Sequence, residues 1–229
     1  MRLPGVRPGG CVLALTAAML VLHAAACSVA PPAFMSVDYR LVVQPDDETG
    51  ARDERLSVFA SVSDGDGVND LEYLYVIHDG EELCWTLTME NWERRDEGSS
   101  VWLGLNGLDS PGTAMPRGVY RLVLVDRAGQ RAERNFSLSA PETSAYDIPS
   151  IKLSENSVTL VSPYPANTAF FIDAGGNIVR TAPLSKGTTS LDSLWPDGAW
   201  RSGSDYLAVY GLDPKAETGF FSWKIRLPD

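Results

Sequence analysis

Through most of this chain apolar residues recur at every second position, the period of a strand with one buried face, and no stretch shows a convincing helical spacing. Val37, Tyr39, Leu41 and Val43 share one face of a first strand; Leu56, Val58, Ala60 and Val62 share one face of a second. Residues 71–78 (LEYLYVIH) are apolar on both faces, as a central strand is, and further strands are expected at 82–88, 100–105, 118–126 and 130–138. Turn-forming residues separate them at Asp46 to Gly50, Asp64 to Gly67, Asp79-Gly80 and Ala128-Gly129, where Asp and Gly supply side-chain caps and positive φ.

Seven short strands in about 100 residues is the count of an immunoglobulin-like sandwich. The stretch Pro116-Arg117-Gly118-Val119-Tyr120-Arg121-Leu122-Val123-Leu124-Val125-Asp126-Arg127-Ala128-Gly129-Gln130 resembles the last two strands and hairpin of bacterial immunoglobulin-like and fibronectin type III-like modules. The resemblance implies that Tyr120, Leu122 and Leu124 face the core, and that the Tyr120 hydroxyl bonds back to the backbone as a tyrosine corner. It covers residues 36–139.

Residues 140–149 are polar, with proline near each end of the surrounding text, and read as a linker. Strand patterns resume at 150–153, 157–162, 168–173, 177–181, 204–211 and 219–227, with a hairpin over Phe170 to Val179. Residues 186–204 read as loop. The expected fold is therefore all-β: an immunoglobulin-like antiparallel sandwich at 36–139, then a second small β module at 150–229.

Ahead of the strands, Arg2 and Arg7 precede an apolar run of 16 residues, Cys11 to Ala26, interrupted by His23. That is the layout of an export signal, and it is short of the roughly 20 apolar residues that span a bilayer. It ends in Ala24-Ala25-Ala26-Cys27, which resembles the bacterial lipobox. The resemblance implies removal of residues 1–26, lipid on the Cys27 thiol and a tether at 27–35. Ala24 stands where the lipobox usually has Leu, and Ser28 rather than Asp follows the cysteine, which implies the outer membrane where there are two. Two other fates fit the same residues: ordinary signal cleavage leaving a free Cys27, or an uncleaved anchor. Two or three acyl chains hold a protein on a membrane where one is marginal.

Loss of residues 1–26 leaves 203 residues with 17 basic against 30 acidic side chains, a net charge of −13. Such a surface repels nucleic acid. With Cys11 removed and Cys27 acylated, Cys84 remains without a disulfide partner, and the alternation around it places it as a small core residue.

One cluster suggests a metal. Asp64, Asp66, Asn69 and Asp70, with Gly65 and Gly67 between them, offer the oxygen ligands that Ca²⁺ takes and are similar to the loops of thrombospondin-type and dockerin repeats; a plain turn explains the same residues. Trp92, Trp195 and Trp200 fall in irregular text, where exposed rings could stack on sugar or anchor a partner, though a core or loop-covering role is the more common use of such rings; Trp85, Trp102 and Trp223 fall in strands and are expected in the core. There is no phosphate loop, no nucleophile elbow and no metal-type His or Cys pair; His78 is the one histidine after residue 26 and is expected at an exposed strand end.

The sequence thus points to a non-catalytic lipoprotein of the cell envelope that binds a protein partner. A carbohydrate-binding module using the loop tryptophans, stabilised by calcium, is the alternative, and an envelope hydrolase a distant third. Replacing Cys27 with serine is expected to abolish lipid processing and move the protein out of the membrane fraction with its fold intact, as fractionation and circular dichroism would show; a variant still membrane-bound would refute the anchor.

Overall fold

The computed structural model of the chain describes residues 30–46 and 49–228. The export signal, Cys27 and the first residues of the tether lie outside the described residues.

Sixteen strands follow one another among the described residues. The first eight are β1 (Ala33–Pro45), β2 (Arg52–Ser63), β3 (Leu71–His78), β4 (Leu83–Leu87), β5 (Glu93–Glu97), β6 (Ser100–Leu108), β7 (Gly118–Asp126) and β8 (Arg131–Leu138). The second eight are β9 (Ser150–Ser154), β10 (Ser157–Val161), β11 (Ala166–Ile172), β12 (Ile178–Pro183), β13 (Gly187–Ser190), β14 (Tyr206–Asp213), β15 (Thr218–Phe221) and β16 (Ile225–Arg226). Single helical turns at Leu191–Leu194 and Trp200–Gly203 interrupt them. The chain is all-β, as its alternation predicts.

Strands β5 and β13 escape the sequence reading because ERRDE and GTTS contain no apolar residue to alternate. Strand β1 starts at Ala33, inside the segment expected to be tether, and Arg134 donates to the carbonyls of Phe34 and Met35 there at 3.3 and 3.1 Å.

The strands form three sheets. A nine-stranded sheet runs β12-β11-β14-β15-β1-β2-β6-β5, with β16 also on β14; a four-stranded sheet runs β4-β3-β7-β8; a three-stranded sheet runs β13-β10-β9. The large sheet takes strands from both halves of the chain, and the seam is β1 beside β15. These two run parallel, with Leu41 opposite Thr218 and Val43 opposite Phe220.

Register decides which side is covered. Leu41, Leu56, Val58 and Ala60 of the large sheet share a core with Leu74, Val76, Tyr120, Leu122 and Leu124 of the four-stranded sheet. Ala169, Phe171, Leu207 and Val209, on the same face further along, share a second core with Val158 and Leu160 of the three-stranded sheet. Between them, Val43 and Phe220 meet Tyr164. Both small sheets thus lie side by side on one face of the large one.

Tyr120 is fully buried, and its hydroxyl donates to the Pro116 carbonyl at 2.8 Å. Burial pushes its pKa well up. His78, expected at the surface, is buried: its Nδ1 accepts from the Glu81 amide, its Nε2 donates to the Arg117 carbonyl, and its ring lies edge-on to Tyr120. Cys84, expected in the core, is exposed, because it faces outward from the edge strand β4 while Leu87 on the opposite phase turns in. Trp102 is half-buried, and Trp223 lies 39% exposed rather than in the core.

Residues 140–149 are tied down rather than loose. Glu54 of β2, 3% exposed, accepts from Arg117 at 2.7 and 3.1 Å, from the Met115 amide at 2.9 Å and from the Thr143 hydroxyl. Arg117 also donates to the carbonyls of Ala140 and Pro141, and Arg52 to those of Thr143 and Tyr146. Tyr146 and Ile148 then pack at the seam, where Tyr146 and Tyr164 stack on Phe220 with centroids 5.1 and 4.9 Å away.

Burial raises the pKa of Glu54, but the donors from Arg117, Thr143 and Met115 outweigh it and hold the carboxyl below its ordinary value. Its stabilisation is therefore fully present above the unfolded pKa of about 4.3 and is lost as pH falls through the lower folded value. Replacing Arg117 with Met is expected to cost about 3 kcal/mol at neutral pH, since it strands a buried carboxylate. Urea titrations at pH 7 and pH 3 should show that cost shrinking in acid; an equal cost at both would contradict the assignment.

Candidate functional site

The face of the nine-stranded sheet opposite the two cores is covered by no other sheet among the described residues. Along it runs a trough of 590 Å³ to which both halves of the chain contribute. Its polar end is built by Asp38 and Arg40 of β1, Arg55 and Ser57 of β2, Glu93 and Arg95 of β5, and Asn106 of β6; its aromatic end by Phe170, Tyr210 and Phe221. A second hollow of 280 Å³ shares Gln44, Phe170, Ile178 and Phe221 and continues toward Lys224.

The alternation that buries Leu41 and Val43 necessarily points Arg40 and Val42 the other way. The same holds for Arg55, Ser57 and Phe59 on β2, and for Tyr210 on β14. Polar side chains at one end are held in a network. Arg95 meets Glu93 at 2.8 Å, Asn106 donates to Glu93 at 2.9 Å, Ser57 donates to Asn106 at 2.7 Å, and Arg55 meets Asp53 at 3.0 Å. Hydrogen bonds from Arg95 and Asn106 hold the Glu93 carboxyl below its ordinary value against the upward push of burial.

Two glycines seat the aromatic rings. Phe59 lies opposite Gly104, and the Arg95 guanidinium sits 4.1 Å over the Phe59 ring. A Cβ at Gly104 would come within 2.1 Å of the Val58 carbonyl oxygen and 2.6 Å of the Phe59 Cα. Tyr210 lies across Gly219, where a Cβ would come within 1.9 Å of its hydroxyl. Burial raises the Tyr210 pKa, and the neighbouring Arg40 opposes that rise. Phe170, Tyr210 and Phe221 pack at 5.0–6.3 Å between centroids. Planar rings beside fixed donors and acceptors make a surface that can take up a ligand by stacking and by directed hydrogen bonds.

The residues singled out from the sequence do not gather here. Asp64 Oδ1 accepts from the Asp66 amide at 2.8 Å and Asp66 Oδ2 from the Ala30 amide at 3.1 Å, the bonding of a turn. Asn69 is drawn away by Arg94 at 2.8 Å, and Asp70 closes a short 3-10 turn ahead of β3. Asp64 Oδ2 is buried without a hydrogen bond. Among the described residues no three His, Cys, Asp or Glu side chains are placed to hold a metal ion.

The three loop tryptophans separate. Trp92 is half-buried against the first core. Trp195 is half-buried against Phe171, with Arg180 over its face at 5.6 Å. Trp200 takes the core role open to a loop tryptophan: it is fully buried, and its indole donates to Asp192 at 2.8 Å. It fills the second core because residues 191–203 fold over that core as helical turns, and it is closed to any ligand. The trough itself had one signal in the sequence: Val58-Phe59, Phe170-Phe171 and Phe220-Phe221 put bulk on both faces of strands that need only one core face.

No family model matches the chain, and no curated protein matches it. Several solved structures align with it, these two among them. Dimeric latent PorU from Porphyromonas gingivalis does so with a TM-score of 0.33 and 15% identity over 86% of this chain and 20% of that one. The BSP domain of a biofilm associated protein does so with a TM-score of 0.28 and 15% identity over 84% of this chain and 30% of that one. The chain spans less than a third of either.

Gly104→Ala is expected to destabilise the fold by about 3 kcal/mol, because the obstructing atoms are backbone; Gly219→Ala should cost about 1 kcal/mol, because the Tyr210 ring can swing aside. Chemical denaturation gives both values, and near-ultraviolet circular dichroism should change for the second. The reverse order of costs would contradict this packing.

Proposed function

We propose that this chain is a lipoprotein of the cell envelope, anchored through Cys27, that acts without catalysis as a binding platform for a protein partner. The observation that carries the reading is the uncovered face of the nine-stranded sheet. A face this wide, with aromatic rings at one end and a hydrogen-bonded polar network at the other, has the anatomy of an interaction surface. It spans the seam between the two halves, so the partner would be read by both at once.

The finer fold assignment belongs to the same proposal: residues 36–139 form an immunoglobulin-like sandwich. In its support, β5-β6-β2-β1 faces β4-β3-β7-β8, and Tyr120 reaches back to Pro116. The outer membrane is the proposed site of the anchor, from Ser28. The carbohydrate reading through Trp92, Trp195 and Trp200 loses its platform with Trp200 buried and the other two packed on different cores.

A photo-crosslinking residue placed at Tyr210 in the full lipoprotein, in its own cells, is expected to join one envelope protein that the same residue at Lys152, exposed on β9, does not join. Identical adducts at both positions, or none at Tyr210, would sink the platform.

A further inference from the structure

The chain has little slack between its lipidation residue and its fold. Cys27 stands three residues ahead of Ala30, and three peptide units span at most about 11 Å. Ala30 is already fixed, because its amide donates to Asp66 Oδ2 at 3.1 Å. Gly65 makes room for it, since a Cβ there would come within 2.5 Å of the Ala30 Cβ. Pro31 and the buried Pro32 follow, with φ locked by their rings, and β1 starts at Ala33. A lipid on Cys27 is therefore kept beside one end of the first sandwich.

Register decides what else stands at that end. Ala33 pairs with Ser63, Val62 with Val101 and Leu71 with Asp126, and the Arg127 amide donates to the Asp70 carbonyl at 2.9 Å. The loop at 64–70, the loop after β4 and the turns at 98–99 and 127–130 thus share this end with Ala30. Two exposed methionines stand on it, Met35 at 63% and Met89 at 58% exposure. Met89 lines one hollow with Val68 and Trp92 and another with Leu71 and Arg127. Asp66, Asp70 and Glu90 stand beside them, so headgroup charge does not draw this end down; a covalent lipid does, and flexible apolar methionines suit the interface it meets.

The second half of the chain is carried away from this end. β15 joins β1 only from Leu41 onward, eight residues past Ala33, or roughly 26 Å along the strand. β14 and β15 continue outward from there, with Asp213 opposite Thr218 and Tyr210 opposite Phe221. The aromatic end of the trough consequently lies on the far side of that level. Laying the bilayer along the uncovered face instead would take Arg40, Arg55, Glu93 and Arg95 out of water, which is costly.

We infer that the end of the first sandwich carrying Ala30, Met35 and Met89 is seated on the phospholipid surface that holds the Cys27 lipid, and that the trough is thereby held clear of the bilayer. This rests on the anchor in the proposed function and goes beyond it, because it fixes which way the platform faces. A partner would meet the trough from the aqueous side.

The test uses the full lipoprotein in phosphatidylcholine vesicles, some of whose lipids carry a headgroup nitroxide that quenches fluorescence only at short range. In a Cys84→Ser background, a fluorophore is attached through Met89→Cys, Ala128→Cys, Ile178→Cys or Lys152→Cys, one at a time. The expected result is loss of fluorescence at 89 and 128 and none at 178 or 152, with each variant melting as the parent does. Quenching at 178 would show the sheet face lying on the membrane, and quenching at 152 the opposite side; either overturns the seating. Protein that floats with the vesicles while 89 and 128 stay bright would overturn it and leave the anchor standing. Protein that does not float would remove the anchor and the seating together.

Discussion

The parallel pairing of β1 with β15 is the interaction on which the rest of this structure depends. Three residue pairs, Leu41 with Thr218, Val42 with Gly219 and Val43 with Phe220, turn two groups of strands into one sheet. Parallel pairing needs a long return path, and here the path is the whole chain between β1 and β15. Its stability comes less from three rungs of ladder than from what they bury: Phe220 lies between Tyr146 and Tyr164 and against Val43. Burying a ring of that kind contributes roughly 2–3 kcal/mol.

The buried carboxylate of Glu54 is the second constraint, because it converts a polar connector into part of the joint. A carboxylate out of water must be paired or it destabilises the fold. Arg117 and Thr143 pair it, and Arg117 in turn holds the carbonyls of Ala140 and Pro141. The connector is thereby set against β2, and Tyr146 arrives over Phe220. Composition alone, polar with prolines, is the signature of a loose linker; satisfying one buried charge made it rigid.

With both small sheets on one side of the large sheet, the other side faces outward over its full width. Function is argued from that asymmetry. Trp92, Trp195 and Trp200 pack on the two cores, and Asp64 and Asp66 accept hydrogen bonds within a turn. Residues that look like ordinary solvent-facing positions, Arg40, Arg55, Phe59, Arg95 and Tyr210, line the trough instead.

The sequence by itself determined the strand period, most of the turns and which face of most strands is buried, because these follow from neighbours two to four residues apart. It also contained the Tyr120 core position and the lipobox-like Cys27. It misplaced His78 and Cys84, since burial of a strand end or an edge residue depends on what is packed over it. Only the tertiary structure decided that β15 lies beside β1, that the connector is tied to Glu54, and that an aromatic and polar face stays open. Alternation specifies one strand's two faces; which strand becomes its neighbour is set by long-range burial and by hydrogen bonds that must be satisfied.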